Sequence, residues 1–241
     1  MMLRLEGVSR SFSGLKAVNH VTFDVPAGSM MALIGPNGAG KTTCFNMIAG
    51  MLAPSAGKLE FMGQTLAGLA PEAVCARGIG RTFQVVRPLS GMTVLENVTV
   101  AALLHERSVR KASRDAMQVL ERLGLAAKAA APASDLTLPD RKLLEVARAL
   151  ATRPRLLLLD EVMAGLRPTE ADRMAAVLRG LNSEGLTILL IEHVMRVVMA
   201  LAQRIVVLHH GEKIAEGAPH EIVADPRVVE SYLGKRKAAM Q

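Results

Sequence analysis

Aromatic residues are scarce in this chain: Phe and Tyr make up 2% of the 241 positions, with a single Tyr and no Trp. Half the residues are apolar, so a core of ordinary size has to be built from Leu, Val, Ile, Ala and the 14 Met. Cysteine is nearly missing as well. Cys44 and Cys75 are the only two; they fit no metal-ligand spacing and supply no disulfide framework, as suits a reducing compartment. Long apolar runs are lacking: the longest, such as 98–104 and 186–191, fall far short of the ~18–20 residues a membrane helix needs. There is no charged-then-apolar secretory pattern at the start, so the expected location is the cytosol. A dense basic stripe is absent too. The net charge is +7 and the pI about 9.8, but the surplus is spread out, with small clusters at Arg107, Arg110, Lys111, Arg114 and at Lys235, Arg236, Lys237. Without aromatics to stack on bases, that argues against a nucleic-acid partner and for a solvated surface or mild attraction to an anionic membrane face.

What the chain does contain is the string Gly35, Pro36, Asn37, Gly38, Ala39, Gly40, Lys41, Thr42, Thr43, directly after an apolar run at 30–34. This is the phosphate-binding pattern G-x-x-x-x-G-K-[ST] where a strand should turn into a helix. The glycines let successive backbone N–H groups curl around a phosphate chain, and the helix start adds partial positive charge at the same place. Lys41 can reach the terminal phosphates, and the Thr42 hydroxyl can ligate Mg²⁺. The chain is therefore expected to bind a nucleoside triphosphate. Cys44, in the first turn after this loop, reads either as a thiol sensitised by the helix dipole and shielded by ATP, or, more simply, as a small buried residue.

The length suits one large domain or a core with one insertion. Alternation in 3–8 and 17–25 predicts short strands, 41–49 a helix stopped by Gly50, 58–61 a strand, 71–77 a short helix, and 78–83 a strand ending at Gln84. From about 94 to 150 the texture is helical, with candidates at 94–105 and 112–123 and an Ala- and Pro-rich loop at 126–135. Buried parallel strands follow at 155–160 and 186–191, then a strand at 205–208 and a final hairpin. The pattern predicts an α/β fold: a nucleotide-binding core with a helical insertion.

Four further features carry chemistry. The run 156–159 is all Leu and delivers Asp160 and Glu161 at the carboxyl end of a strand, where ligands bind in open α/β sheets. The first can hold Mg²⁺ through water and the second can activate an attacking water. The strand at 186–191 ends in Glu192 and His193; His193 would stand beside the other strand ends, within reach of a γ-phosphate. Gln84 has a polar head able to touch both Mg²⁺ and water. Phe12, in a loop before the phosphate string, offers an aromatic face for adenine, or else anchors the first hairpin. The segment 136–150 reads as an amphipathic helix, with Thr137 and Asp140 spaced as a capping box and Leu143, Leu144, Ala147, Leu150 as its apolar stripe.

These elements, in this order, resemble the ATP-binding subunit of an ABC transporter across essentially the whole chain. Phe12 matches the adenine-stacking aromatic, with Val18 beside it as a further nucleotide contact. Residues 35–43 match Walker A and Gln84 the Q-loop. Residues 136–140 stand where the signature belongs, Asp160 and Glu161 where Walker B does, Ala164, Gly165, Leu166 in the D-loop, and His193 as the switch histidine. Within the family, the residues at 81–84, 160–166 and Tyr232, Leu233, Gly234 are most similar to ATPase subunits of branched-chain amino acid importers.

The resemblance implies a P-loop NTPase (RecA-like) core with an antiparallel β subdomain, covering 1–85 and 152–241, and a helical subdomain at 86–151 that carries the signature segment. It implies ATP and Mg²⁺ as cofactors, with Glu161, His193 and Gln84 catalytic. Gly35, Asn37, Gly38, Ala39, Gly40, Lys41, Thr42 and Thr43 would hold ATP, and Thr42, Gln84 and Asp160 the metal, while Thr137 would reach the ATP of a second subunit. That subunit is either an identical or a different ATPase, since two ATPases pair tail to head. The other implied partners are membrane permease subunits and, indirectly, a solute-binding protein. The chain would then sit peripherally on the inner face of the plasma membrane, with residues 87–100 forming part of the groove for a coupling helix. A soluble ABC-type ATPase of translation or DNA maintenance is the alternative, disfavoured because those chains usually carry two ATPase units or long coiled-coil arms. A P-loop kinase or GTPase has no reason to keep these elements together.

The signature departs from the family's Leu-Ser-Gly-Gly-Gln. Thr137 keeps a hydroxyl, but Leu138 and Pro139 replace both glycines and Asp140 replaces Gln. Pro139 lacks an N–H donor, and Asp140 is expected to add a like charge near the phosphate. Arg167 stands where the D-loop commonly has Asp or Asn.

Overall fold

Two β-sheets and the helices around them divide the aliphatic residues into two cores. The computed structural model describes residues 1–82, 88–89 and 91–233. Strands β1 (Leu3–Phe12), β2 (Leu15–Val25), β4 (Ala56–Phe61) and β5 (Gln64–Thr65) form an antiparallel sheet in the order β2-β1-β4-β5. A second sheet has the order β10-β9-β3-β8-β7-β6, from β3 (Met30–Ile34), β6 (Ile79–Arg81), β7 (Leu156–Asp160), β8 (Thr187–Ile191), β9 (Arg204–His209) and β10 (Glu212–Gly217). Strands β9, β3, β8, β7 and β6 run parallel, and β10 closes one edge antiparallel to β9.

Every residue of β3, β7 and β8 is buried, as a parallel strand covered on both faces requires. Because successive side chains point to opposite faces, these strands feed both cores. Met31, Leu33, Leu158, Leu189 and Val206 join the antiparallel sheet and helix α1 (Lys41–Ile48). Met30, Ala32, Leu157, Leu159, Ile188 and Val207 join the helices on the other face. Those are α3 (Val94–Ala102), α4 (Val109–Arg122), α5 (Leu138–Ala151), α6 (Pro168–Ser183) and α7 (Met195–Leu201), with a short α2 (Pro71–Ala76) leading into β6. Two terminal helices, α8 (Pro219–Ala224) and α9 (Pro226–Leu233), complete the chain.

The parallel arrangement puts the carboxyl ends of β3, β6, β7 and β8 on one side. The segment 35–43, Arg81, Asp160 and the pair Glu192, His193 are gathered there although they are far apart in sequence.

Several sequence expectations shift. Phe12 is the last residue of β1, not part of a loop, because β1 continues through irregularities between Leu5 and Ser11. The segment 126–135 contains two short 3₁₀ turns, Ala126–Lys128 and Ala133–Asp135. Helices α6 to α9 are not singled out by the sequence pattern. In α6 the buried positions Ala171, Met174, Ala175, Leu178 and Leu181 have helical spacing, but small residues and Gly180 weaken the periodic signal. No described helix is long and apolar enough to cross a membrane.

Candidate functional site

The phosphate loop is shaped by close backbone approaches from two neighbouring strands. At Gly35 φ is 148°, and a Cβ there would lie 2.1 Å from the Leu208 carbonyl oxygen in β9. At Gly40 φ is 99°, and a Cβ would meet the Ala17 carbonyl oxygen at 2.5 Å and Val18 at 3.3 Å. Neither position accepts a side chain without moving a strand. Val18 is fully buried under Gly40. It supports the loop from beneath. Asn37 and Gly38 are exposed at the loop tip, Ala39 is buried, Thr42 is exposed and Thr43 half-buried at the start of α1.

Lys41 is buried and curls back over the loop, its Nζ donating to the Gly35 carbonyl at 2.7 Å and the Pro36 carbonyl at 3.0 Å. Burial lowers its pKa, while the negative charges of Glu161 and Asp160 work against that shift. The ammonium therefore feels both strand-end carboxylates. From the C-terminal side, burial raises the Tyr232 phenol pKa, and the Gly35 backbone opposes the rise.

Asp160 ends β7 with only 1% of its surface exposed. Its backbone N–H donates to the Thr82 hydroxyl at 3.2 Å, and its Oδ2 accepts from Arg81 at 3.3 Å. Arg81 also donates to Asn46 of α1 at 2.7 Å, tying that helix to the acidic strand end. Burial raises the Asp160 pKa despite the guanidinium. Its Oδ1 is buried with no hydrogen-bond partner among the described residues. A buried, unsatisfied carboxylate oxygen fits a hard cation or its bound water. Among the described residues no group of three His, Cys, Asp or Glu could hold a metal ion unaided, so phosphate oxygens would have to supply the remaining ligands.

Glu161 has φ of 51°, a conformation costing about 1–3 kcal/mol for a residue with a side chain. Its N–H donates to the Ile191 carbonyl at 2.9 Å and its carbonyl accepts from Lys142 Nζ at 3.0 Å. Held this way, its Oε1 meets His193 Nε2 at 2.6 Å. The two predicted catalytic groups are thus brought together from adjacent parallel strands. Glu192, just before His193, is 2% exposed and accepts the Met163 N–H at 2.9 Å. Burial raises its pKa, with the Met163 and His193 N–H groups opposing. Sequence reasoning passed over Arg81, Lys142 and Glu192 as site residues. Their signal, a single charged residue in or beside a strand or helix, is common on solvated faces and becomes informative only once their burial is seen.

Phe12 is 40% exposed, with the Arg10 guanidinium 4.8 Å from its ring centre. A ring this open is not a core anchor, and it stays available for stacking. Gln84 lies outside the described residues.

The segment 137–140 takes a form of its own. Thr137 is the N-cap of α5 but makes no side-chain cap bond; its hydroxyl donates instead to Asp140 Oδ2 at 2.6 Å. The expected capping box is absent because a charged acceptor outcompetes the backbone. Asp140 is buried and also pairs with Lys128. Burial opposes its charge, but the bonds from Lys128 and Thr137 hold its pKa below the ordinary value. The expected like charge near phosphate is therefore answered within the same subunit. Leu138 is exposed and would lie 3.3 Å from a Cβ on Gly165. Arg167 pairs with Glu170 of its own helix. Among the described residues no hydrogen bond or ion pair joins 137–140 to 35–43.

Known proteins match this geometry over nearly the full chain. Residues 18–164 match the model for the ABC transporter family, and residues 212–238 match that for the branched-chain amino acid ATP-binding cassette transporter. The high-affinity branched-chain amino acid transport ATP-binding protein BraF of Pseudomonas aeruginosa is 39% identical, covering 97% of this chain and 98% of that protein. LivG of Escherichia coli strain K12, described in the same words, is 40% identical with the same coverage. The crystal structure of an ATP-binding cassette of an ABC transporter in its ADP conformation superposes with a TM-score of 0.88 at 32% identity, covering 97% of this chain and 99% of that one.

Proposed function

The chain belongs to the ABC transporter family as an ATP-binding, ATP-hydrolysing subunit, and from that premise we propose that it energises an importer of branched-chain or related amino acids or small amides. The C-terminal match at 212–238 and the two relatives' names support that substrate class. The observation that carries the chemistry is the 2.6 Å contact between Glu161 and His193 at neighbouring strand ends.

In this reading the loop N–H groups and Lys41 hold the phosphates of ATP, Phe12 stacks on adenine, and Glu161 accepts a proton from the attacking water. The water oxygen bonds to the γ-phosphorus, the bond to the β–γ bridging oxygen breaks, and ADP and phosphate leave. His193 orients Glu161 and donates to the γ-phosphate as it is transferred. Thr42, Asp160 and, by resemblance, Gln84 would hold Mg²⁺, which when bound neutralises charge on the β- and γ-phosphates. Residues 86–151 act as a helical subdomain and 1–85 with 152–241 as the RecA-like core with its β subdomain. Two such ATPases pair tail to head, with Thr137 of one facing the ATP of the other. They dock on permease subunits at the inner face of the membrane, and a solute-binding protein delivers the cargo.

Glu161→Gln tests the chemical reading: steady-state hydrolysis should fall by roughly 10²–10⁴ while ATP binding, followed with a fluorescent analogue, stays intact. Retained turnover would assign the proton to another base. Co-purification from detergent extracts with ribosomes or nucleic acid, and with no membrane subunit, would overturn the transport reading.

A further inference from the structure

Lys142 lies in the first half of α5, two residues past the signature segment, on a helix otherwise facing the core. It is 6% exposed. A buried ammonium needs compensation, and here it comes from the nucleotide side of the molecule. The Nζ donates to the Glu161 carbonyl at 3.0 Å, and the carboxylates acting on it are, in order, Glu192, Glu161, Asp160 and Glu145. Glu192, itself buried, fixes the Met163 N–H two residues beyond Glu161 and stands next to His193. A single buried cation thus holds the Glu161 carbonyl and feels the carboxylate that fixes the Met163 N–H and adjoins His193.

The conformation it grips is the one most in need of holding. Glu161 has positive φ without being glycine, and that backbone aims its carboxylate at His193. Strain of this kind persists only where surrounding contacts over-determine it. The Ile191 carbonyl restrains the Glu161 N–H, and Lys142 together with the Ala164 N–H restrains its carbonyl, so both polar groups of the strained residue are fixed.

We propose that Lys142, backed by the Glu192 carboxylate, is a positioning residue for hydrolysis: it pins the strained Glu161 backbone to the signature helix so that the carboxylate stays on His193. The proposal rests on Glu161 being the general base. One consequence is that movement of α5, and with it of segment 137–140, is transmitted to the attacking-water site inside the same subunit, by a route separate from the contact across the dimer.

The test uses the full-length chain assembled with its permeases and second ATPase subunit. Lys142→Met, similar in shape but without donor or charge, should lower kcat roughly tenfold or more with KM for ATP within about twofold. Lys142→Arg, which keeps a donor, should recover a substantial part of the loss. In the nucleotide-free chain, amide hydrogen exchange over 161–166 should accelerate in Lys142→Met while 35–43 stays unchanged. Wild-type turnover in Lys142→Met, or unaltered exchange at 161–166, overturns the proposal. Should Lys142→Met not fold, Lys142→Arg and Glu192→Gln carry the same measurements, with Glu192→Gln expected to show a smaller loss of the same kind. If Glu161→Gln keeps its turnover, the general-base reading fails, and the exchange data alone decide whether Lys142 holds this backbone.

Discussion

At the scale of single residues, burial decides which chemical groups can act. Cys44 follows the phosphate loop at a helix N-terminus, a position that on sequence grounds allows a sensitised thiol. It is fully buried, and that burial pushes its pKa up to about 12, so desolvation overwhelms a dipole worth about 0.3–1 kcal/mol. A thiol reagent at mildly alkaline pH should therefore label Cys75, slowly, and reach Cys44 only on unfolding, with or without ATP. Rapid ATP-sensitive labelling of Cys44 in the native protein would contradict this. Burial works in the opposite direction for function at Asp160, where it leaves one oxygen without a partner and so makes a site for a cation. Residue type predicted both positions; only the surroundings separated an inert group from a poised one.

At the scale of elements, α5 is the unusual part. Its first turn contains Pro139, which removes one N–H from the cluster of free donors at a helix start. A donor to a charged phosphate contributes about 1.5–3 kcal/mol, or roughly 10- to 150-fold in an equilibrium. Asp140 is turned inward onto Lys128 and Thr137, so the hydroxyl that the proposed pairing would direct at a partner's phosphate is already engaged. Replacing Pro139→Gly together with Asp140→Gln should raise ATP-driven pairing by about that factor, read by sedimentation in a Glu161→Gln background. Unchanged pairing would mean that the signature departure is immaterial. The helix itself was legible from Leu143, Leu144, Ala147 and Leu150, all buried as the 3.6-residue period requires. Its cap was not, because the competition between backbone and Asp140 for the Thr137 hydroxyl depends on Lys128, from a preceding turn.

At the scale of the whole molecule, nucleotide binding and folding are linked, since the loop takes its shape from β2 and β9. ATP at about 100 times its Kd should stabilise the folded chain by ~2.7 kcal/mol, a rise of roughly 5–11 °C in melting temperature. Lys41→Ala should abolish most of that rise in a thermal melt, and an undiminished rise would place the phosphates elsewhere. The sequence by itself determined the nucleotide, the strand–helix alternation, the two carboxylates at a strand end and the family, because each is written in a short contiguous string whose spacing already implies its local geometry. Only the tertiary structure decided that His193 rests on Glu161, that Arg81 ties α1 to Asp160, that Lys142 and Glu192 are buried beside the strained Glu161, and that Asp140 is neutralised within its own subunit. These pairings join positions from 12 to 79 residues apart, and their strength comes from a low-dielectric interior that exists only after parallel strands and helices have packed.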